Sequence, residues 1–160
     1  MSYKKILISV DNRENSINVA KKGFELAEQL NAEVALIFVV ESSVLMANSG
    51  ILNSDMGSPG MRNPDIGTIL KDELVIMKKN AENSLDEIIR VNNSKKTTKF
   101  MPEGFAREAI LETAQTWGAD LIVIGLHGKT GLGIFVMGSI SQYISLHSKI
   151  PVMIIPSLEK

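Results

Sequence analysis

The sequence has no cysteine, almost no net charge and no long apolar run. Without cysteine, it can form neither a disulfide framework nor a thiolate metal site. Its 17 Lys and Arg are balanced by 18 Asp and Glu, so no phosphate-neutralising surface for nucleic acid is expected. No run approaches the roughly 20 apolar residues of a membrane span, and the apolar part of MSYKKILISVDN is too short for a signal peptide. We therefore expect a cytoplasmic protein that binds neither nucleic acid nor membrane.

What the sequence does contain is an alternation of strand and helix patterns. Apolar runs typical of buried strands occur at 4–10, 33–40, 97–104, 120–125 and 151–156. Residues 97–104 are polar enough to lie at a sheet edge, and the prolines at both ends of 151–156 also suit an edge strand. Between the runs, apolar residues recur at three- and four-residue steps and predict helices near 17–30, 70–88, 106–117 and 139–147.

This order predicts one α/β domain spanning residues 1–160, with five parallel strands and helices on both faces of the sheet. The stretch 41–65, which is rich in Gly, Asn and Met, predicts a long flexible loop within that domain.

The fourth apolar run leads directly into GLHGKTGLGIFVMGSIS, residues 125–141, which holds five glycines. A glycine after a buried strand lets the backbone turn sharply and approach a ligand closely. The start of a following helix then offers an anion site. If the strand order is 3-2-1-4-5, the ends of strands 1 and 4 are neighbours, and Asp11 and Gly125 face one crevice. A carboxylate there can accept hydrogen bonds from ribose hydroxyls, and the glycines can hold phosphates.

Two familiar phosphate motifs are excluded by spacing. GKT at 128–130 is not a P-loop, because Val123 stands where the first glycine is required. A dinucleotide fingerprint is absent, because no glycine follows the first strand. The observed spacing, Gly125-x2-Gly128-x9-Gly138-Ser139, is instead the pattern G-x2-G-x9-G-[S/T]. Together with YKKILISVD near the start and PVMIIP near the end, it closely resembles the ATP-binding branch of the universal stress protein family, over nearly the whole chain.

The resemblance implies a Rossmann-like, adenine nucleotide alpha hydrolase-like fold with strand order 3-2-1-4-5. It implies ATP as the ligand, with AMP or ADP as alternatives, and it leaves open whether Mg²⁺ accompanies the nucleotide. It also implies a homodimer formed through residues 151–156. In the family, the end of strand 1 faces the nucleotide, the backbone near the end of strand 2 contacts adenine, and the glycine stretch holds ribose and phosphates. Carried over in that order, the site residues are Val10, Asp11, Val39, Gly125, His127, Gly128, Gly138, Ser139, Ile140 and Ser141.

Several of these residues also have a purely structural interpretation. Asp11 and Glu14 could form a capping box on the first helix, and Ser139 with Gln142 could form another on the last. His127 could be a solvated loop residue. The resemblance favours a nucleotide-dependent regulatory module in the stress response, with a slow Mg-dependent ATP hydrolase and a nucleotide-free dimeric scaffold as alternatives. We assign no catalytic residue, because neither a general base nor an arginine finger is evident, and no metal ligand.

Overall fold

The computed structural model describes residues 2–13, 15–41, 64–94, 96–126 and 138–156. Within them, the strands are β1 (Lys5–Ser9), β2 (Glu33–Ile37), β3 (Thr97–Phe100), β4 (Leu121–Gly125) and β5 (Val152–Ile155). The helices are α1 (Asn15–Leu30), α2 (Pro64–Val91), α3 (Ala106–Trp117) and α4 (Ser139–His147). All strand pairs are parallel, in the order β3-β2-β1-β4-β5. The predicted α/β fold, strand order and edge positions of β3 and β5 are therefore confirmed.

Successive residues of the central strands feed two separate cores, because side chains alternate between the faces of a strand. On one face, α1 and α2 cover Ile6 and Ile8 of β1. On the other, α3 and α4 cover Leu7 of β1 and Ile122 of β4. These four side chains are fully buried, and each stabilises the fold by roughly 1.5–3 kcal/mol relative to exposure. The continuous apolar runs reflect this two-sided burial.

Helix α1 lies very close to the central strand at one point. A Cβ atom built on Gly23 would stand 2.8 Å from Cγ1 of Ile8 and closer still to its Cδ1. Only a residue without a side chain therefore allows this helix–strand distance.

The amino ends of the two central strands are joined by one carboxylate. Asp120, just before β4, accepts hydrogen bonds from the backbone N–H groups of Lys4 (2.8 Å) and Lys5 (3.0 Å). Its own N–H donates to the carbonyl of Lys5 at 2.9 Å. This end of the sheet is thus fixed, and the neighbouring strands part only at their carboxyl ends.

The structure modifies three predicted boundaries. β2 and β3 end at Ile37 and Phe100, several residues before the ends of their apolar runs. The chain beyond Ile37 separates from β1 but stays hydrogen-bonded to the segment after β3. Helix α2 begins at Pro64, inside the stretch predicted as loop, and proline suits the first turn of a helix, where its missing N–H is not needed. Residues 42–63 of that predicted loop lie outside the described residues. As predicted, α3 stops at Gly118, which takes the left-handed conformation (φ 74°) that glycine favours.

The helices in the described ranges include none that is both long and apolar enough to cross a membrane.

Candidate functional site

A cavity of about 360 Å³ lies at the carboxyl ends of the strands, where the sheet order reverses. Its size falls within the range of small-molecule sites, and its position is where open α/β sheets bind ligands. It is lined by Ser9 of β1, residues 10–13 after β1, residues 38–41 after β2, Met77 and Asn80 of α2, Ala106 and Ile110 of α3, Ile124 of β4 and Ile140 of α4.

The cavity exists because β1 and β2 diverge at this end. The last described backbone hydrogen bond between them runs from the N–H of Val10 to the carbonyl of Ile37, at 3.0 Å. Beyond it, the chain after β2 stays bonded to the other neighbour: Phe38 donates to Phe100 and Val40 donates to Pro102. The segment 38–41 therefore follows β3 and leaves a gap on the β1 side.

Val39 lies in this gap, and the directions of its N–H and carbonyl follow from the alternation of peptide groups along an extended chain. Because the N–H groups of Phe38 and Val40 point to β3, the N–H of Val39 points the opposite way, toward β1. The hydrogen bonds formed among the described residues include none to the N–H or carbonyl of Val39. Val39 is half-buried and lines the cavity. One donor and one acceptor of the main chain are thus presented to whatever fills the space.

Asp11 follows β1 by two residues and is held in a tight turn. Its Oδ1 accepts hydrogen bonds from the N–H of Arg13 (2.9 Å) and the hydroxyl of Ser16 (2.7 Å). In return, its own N–H donates to the Ser16 hydroxyl at 2.9 Å. The guanidinium Nε of Arg13 stands 3.6 Å from Oδ2. Asp11 thereby organises the turn into α1, which begins at Asn15, and at the same time lines the cavity.

A second carboxylate closes the cavity near the start of α3. Phe105, the N-cap of α3, makes no side-chain cap. Glu41 supplies it instead, because its Oε1 accepts a hydrogen bond from the N–H of Ala106 at 2.8 Å. Beside it, Lys78 of α2 forms an ion pair with Glu103. The charged residues of the lining are Asp11, Arg13 and Glu41, and both carboxylates are already engaged by protein donors.

The described ends of the glycine stretch lie at the termini of β4 and α4. Gly125 is the buried last residue of β4, opposite Ile155 of β5. Gly138 is the N-cap of α4, without a side-chain cap, and Ser139 is its exposed first residue. The capping box predicted for Ser139 is therefore wrong, because the N-cap of the helix is Gly138 and not Ser139. The buried Ser141 donates its hydroxyl hydrogen bond to the carbonyl of Gly138 at 3.0 Å.

Four of the predicted site residues line the cavity: Val10, Asp11, Val39 and Ile140. Gly125, Gly138, Ser139 and Ser141 lie at the ends of β4 and α4 without lining it, and His127 and Gly128 lie outside the described residues. Sequence reasoning missed the contributions of Arg13, Glu41, Met77, Asn80, Ala106 and Ile110. Arg13 stands only two residues from Asp11 and could have been noticed. No local sequence pattern marks the lining residues of α2 and α3, because only the tertiary arrangement brings them to the cavity.

A parallel sheet covered on both faces, with a cavity at its reversal point, defines a doubly wound α/β protein. Residues 2–156 match the Universal stress protein family, and the chain belongs to that family. Universal stress protein MJ0531 of Methanocaldococcus jannaschii is 29% identical over 160 residues, which cover 99% of this chain and 85% of the relative.

The solved structures show the same fold. UspA from Lactobacillus plantarum has a TM-score of 0.75 at 18% identity, covering 97% of this chain and 99% of its own. A universal stress protein in complex with cAMP has a TM-score of 0.62 at 15% identity, covering 97% and 98%. The protein from Archaeoglobus fulgidus in complex with dAMP has a TM-score of 0.61 at 18% identity, covering 97% and 99%.

Proposed function

We propose that this cavity binds an adenine nucleotide, ATP foremost with AMP and ADP as alternatives, and that the protein acts as a nucleotide-dependent regulatory module of the stress response. The observation that carries the proposal is the presence, in one cavity of about 360 Å³, of the Asp11 carboxylate and of the Val39 peptide groups, which form no hydrogen bond among the described residues. Two structural neighbours of the same fold hold cAMP and dAMP, which supports adenine nucleotides as the ligand class.

The base is expected at Val39. Adenine presents a ring-nitrogen acceptor beside an amino donor, which matches one backbone N–H and one carbonyl. The apolar side chains of Ile110, Ile124 and Met77 line the same space and can contact the faces of the ring. In guanine a carbonyl stands in place of the amino group, so its oxygen would face the carbonyl oxygen of Val39, and two acceptors would oppose each other. The arrangement therefore favours adenine over guanine.

The ribose and the phosphates are expected on the other side of the cavity. The Asp11 carboxylate can accept hydrogen bonds from ribose hydroxyls, and bonds to a charged acceptor are the stronger kind. Ser139 begins a nine-residue helix whose first N–H groups and positive dipole end suit phosphate. Ile140, in that first turn, already lines the cavity.

The geometry favours binding over turnover. Hydrolysis needs a group that positions or deprotonates water. Asp11 and Glu41 are the carboxylates of the lining, and each is committed to backbone or hydroxyl donors. Their structural roles make them poor candidates for a general base. Slow hydrolysis would be detected as formation of ADP.

We further propose a homodimer formed through residues 151–156. β5 is an edge strand, and such an edge presents unpaired backbone groups that invite another strand. Its sequence, VMII, carries no charge to discourage pairing, and the side chain of Met153 is exposed. A two-fold axis at this edge would pair the strand with its own copy.

The test begins with purified protein. It is denatured, and the supernatant is separated by ion exchange to detect released adenine nucleotide. Wild-type protein and the Asp11→Asn variant are then titrated calorimetrically with Mg-ATP, and ADP formation is followed separately. We expect wild-type binding at micromolar concentrations or tighter, and at least about tenfold weaker binding by the variant, because a bond to a charged acceptor contributes about 1.5–3 kcal/mol. Absence of both released nucleotide and binding heat at several temperatures would refute the proposal, and steady ADP formation would favour the hydrolase.

A further inference from the structure

Ser16, in the first turn of α1, has an unusual arrangement for a buried helical serine. Among the described residues, it is one of two buried polar side chains, and 3% of it is exposed. It does not line the cavity. Its hydroxyl donates to Oδ1 of Asp11 at 2.7 Å and accepts from the N–H of Asp11 at 2.9 Å. One hydroxyl thus contacts both the side chain and the main chain of the same residue.

Several hydroxyls in the helix interiors form a different kind of hydrogen bond. Serine and threonine inside a helix commonly donate back to a carbonyl three or four residues earlier. Ser84, Ser145 and Thr116 each do so at 2.7–2.9 Å. Ser16 instead directs its proton to a carboxylate five residues earlier, beyond the start of the helix. Ser16 is the second residue of α1, so Arg13 and Asn12, three and four residues before it, precede the helix, and its hydroxyl is directed to the turn that carries Asp11.

The reciprocal pair restrains the orientation of the carboxylate. With Oδ1 bound by the hydroxyl of Ser16 and the N–H of Arg13, rotation of the Asp11 side chain would break two charge-assisted hydrogen bonds. The side chain of Asp11 is 37% exposed, and an acceptor held in a fixed orientation discriminates between ligands that do and do not supply the matching donor.

We infer that Ser16 is a positioning residue, which holds the Asp11 carboxylate in the orientation that recognises ribose hydroxyls and so sets a preference for ribonucleotides over deoxyribonucleotides. This inference rests on the proposed adenine nucleotide site. It assigns sugar selectivity to a side chain that does not itself contact the ligand.

The test compares sugar selectivity in three proteins: wild type, Ser16→Ala and Ser148→Ala. Ser148 is a matched control, since its half-buried hydroxyl also donates (to the carbonyl of Ile150, 2.7 Å) and accepts (from the N–H of Ile150, 3.2 Å), away from the cavity. Each protein is titrated calorimetrically with ATP, 2′-deoxy-ATP and 3′-deoxy-ATP after circular dichroism has established its folding.

Wild type and Ser148→Ala should bind ATP about tenfold more tightly than at least one deoxy analogue. In Ser16→Ala, ATP should weaken by about tenfold while that analogue changes less than about threefold, so that the selectivity ratio falls toward one. Equal weakening of all three ligands would show that Ser16 only packs the turn, and would overturn the inference. So would a wild type that binds without sugar preference. A wild type that binds none of the three ligands would instead refute the nucleotide site itself.

If Ser16→Ala does not fold, Ser16→Cys provides the second variant, because the thiol is of similar size but a weak hydrogen-bond donor. Its selectivity ratio should fall between those of wild type and Asp11→Asn. A ratio equal to that of wild type would contradict the inference.

Discussion

Replacing Val39 by proline removes one backbone donor from the cavity. Since no described hydrogen bond uses that N–H, the substitution should cost the free protein little, and proline is tolerated where a strand ends. The loss should therefore appear in ligand binding. A backbone hydrogen bond contributes a net of about 0.5–1.5 kcal/mol, so ATP should bind roughly two- to tenfold more weakly. The proline ring also enters the space beside the base, so this range is a lower bound.

The matched control is Val39→Ala, which shortens the side chain but keeps the N–H. Val39 packs against the core beneath α3 and α4, so this variant should lose some stability and little affinity. Both variants and wild type would be titrated calorimetrically with ATP and with adenosine. If the N–H of Val39 contacts the base, the affinities of Val39→Pro for ATP and for adenosine should fall by the same factor. Equal affinities of Val39→Pro and Val39→Ala would show that the N–H of Val39 does not contact the ligand.

Two further predictions concern the scaffold. Gly23→Ala should lower the free energy of unfolding by about 1 kcal/mol, because a Cβ atom 2.8 Å from Ile8 costs about 1–3 kcal/mol of overpacking against about 1 kcal/mol of gained helix propensity. Denaturant titration measures this change, and a more stable variant would show that α1 can shift away from the sheet. Met153→Asp should convert the proposed dimer to monomer in sedimentation velocity, because the charge would be buried beside the facing strand. An unchanged dimer would place the interface elsewhere.

The architecture could be predicted because burial on both faces imposes long apolar runs on the strands. The run 120–125 became β4 almost residue for residue, and Gly118 ended α3 as its conformational freedom requires. The end of β2 could not be predicted in this way, since Phe38 and Val40 are as buried and apolar as the strand itself. They part from β1, which has turned away, while they stay hydrogen-bonded to Phe100 and Pro102 on the β3 side, and this is a tertiary fact.

The candidate site was predictable only in part for a similar reason. Asp11 could be inferred from its place after the first strand, and Val39 from what the family resemblance implies about the end of the second strand. Met77 and Asn80 lie on a helix whose pattern reports its contact with the core, not its proximity to a cavity. The role inferred for Ser16 was equally invisible, because it depends on the hydrogen bonds that its hydroxyl forms with Asp11 in the folded turn.

The central pair of strands also constrains the order in which the chain can acquire its cavity. β1 pairs with β2 across 28 residues (Lys5 with Glu33) but with β4 across 115 (Ile6 with Leu121). Contacts between distant segments form late, because a long loop must close before they stabilise anything. During synthesis, the segments carrying Asp11 and Val39 emerge well before residues 121–156. A nascent chain can therefore hold one wall of the cavity while the other is still untranslated, and binding of the proposed ligand must await the last quarter of the protein.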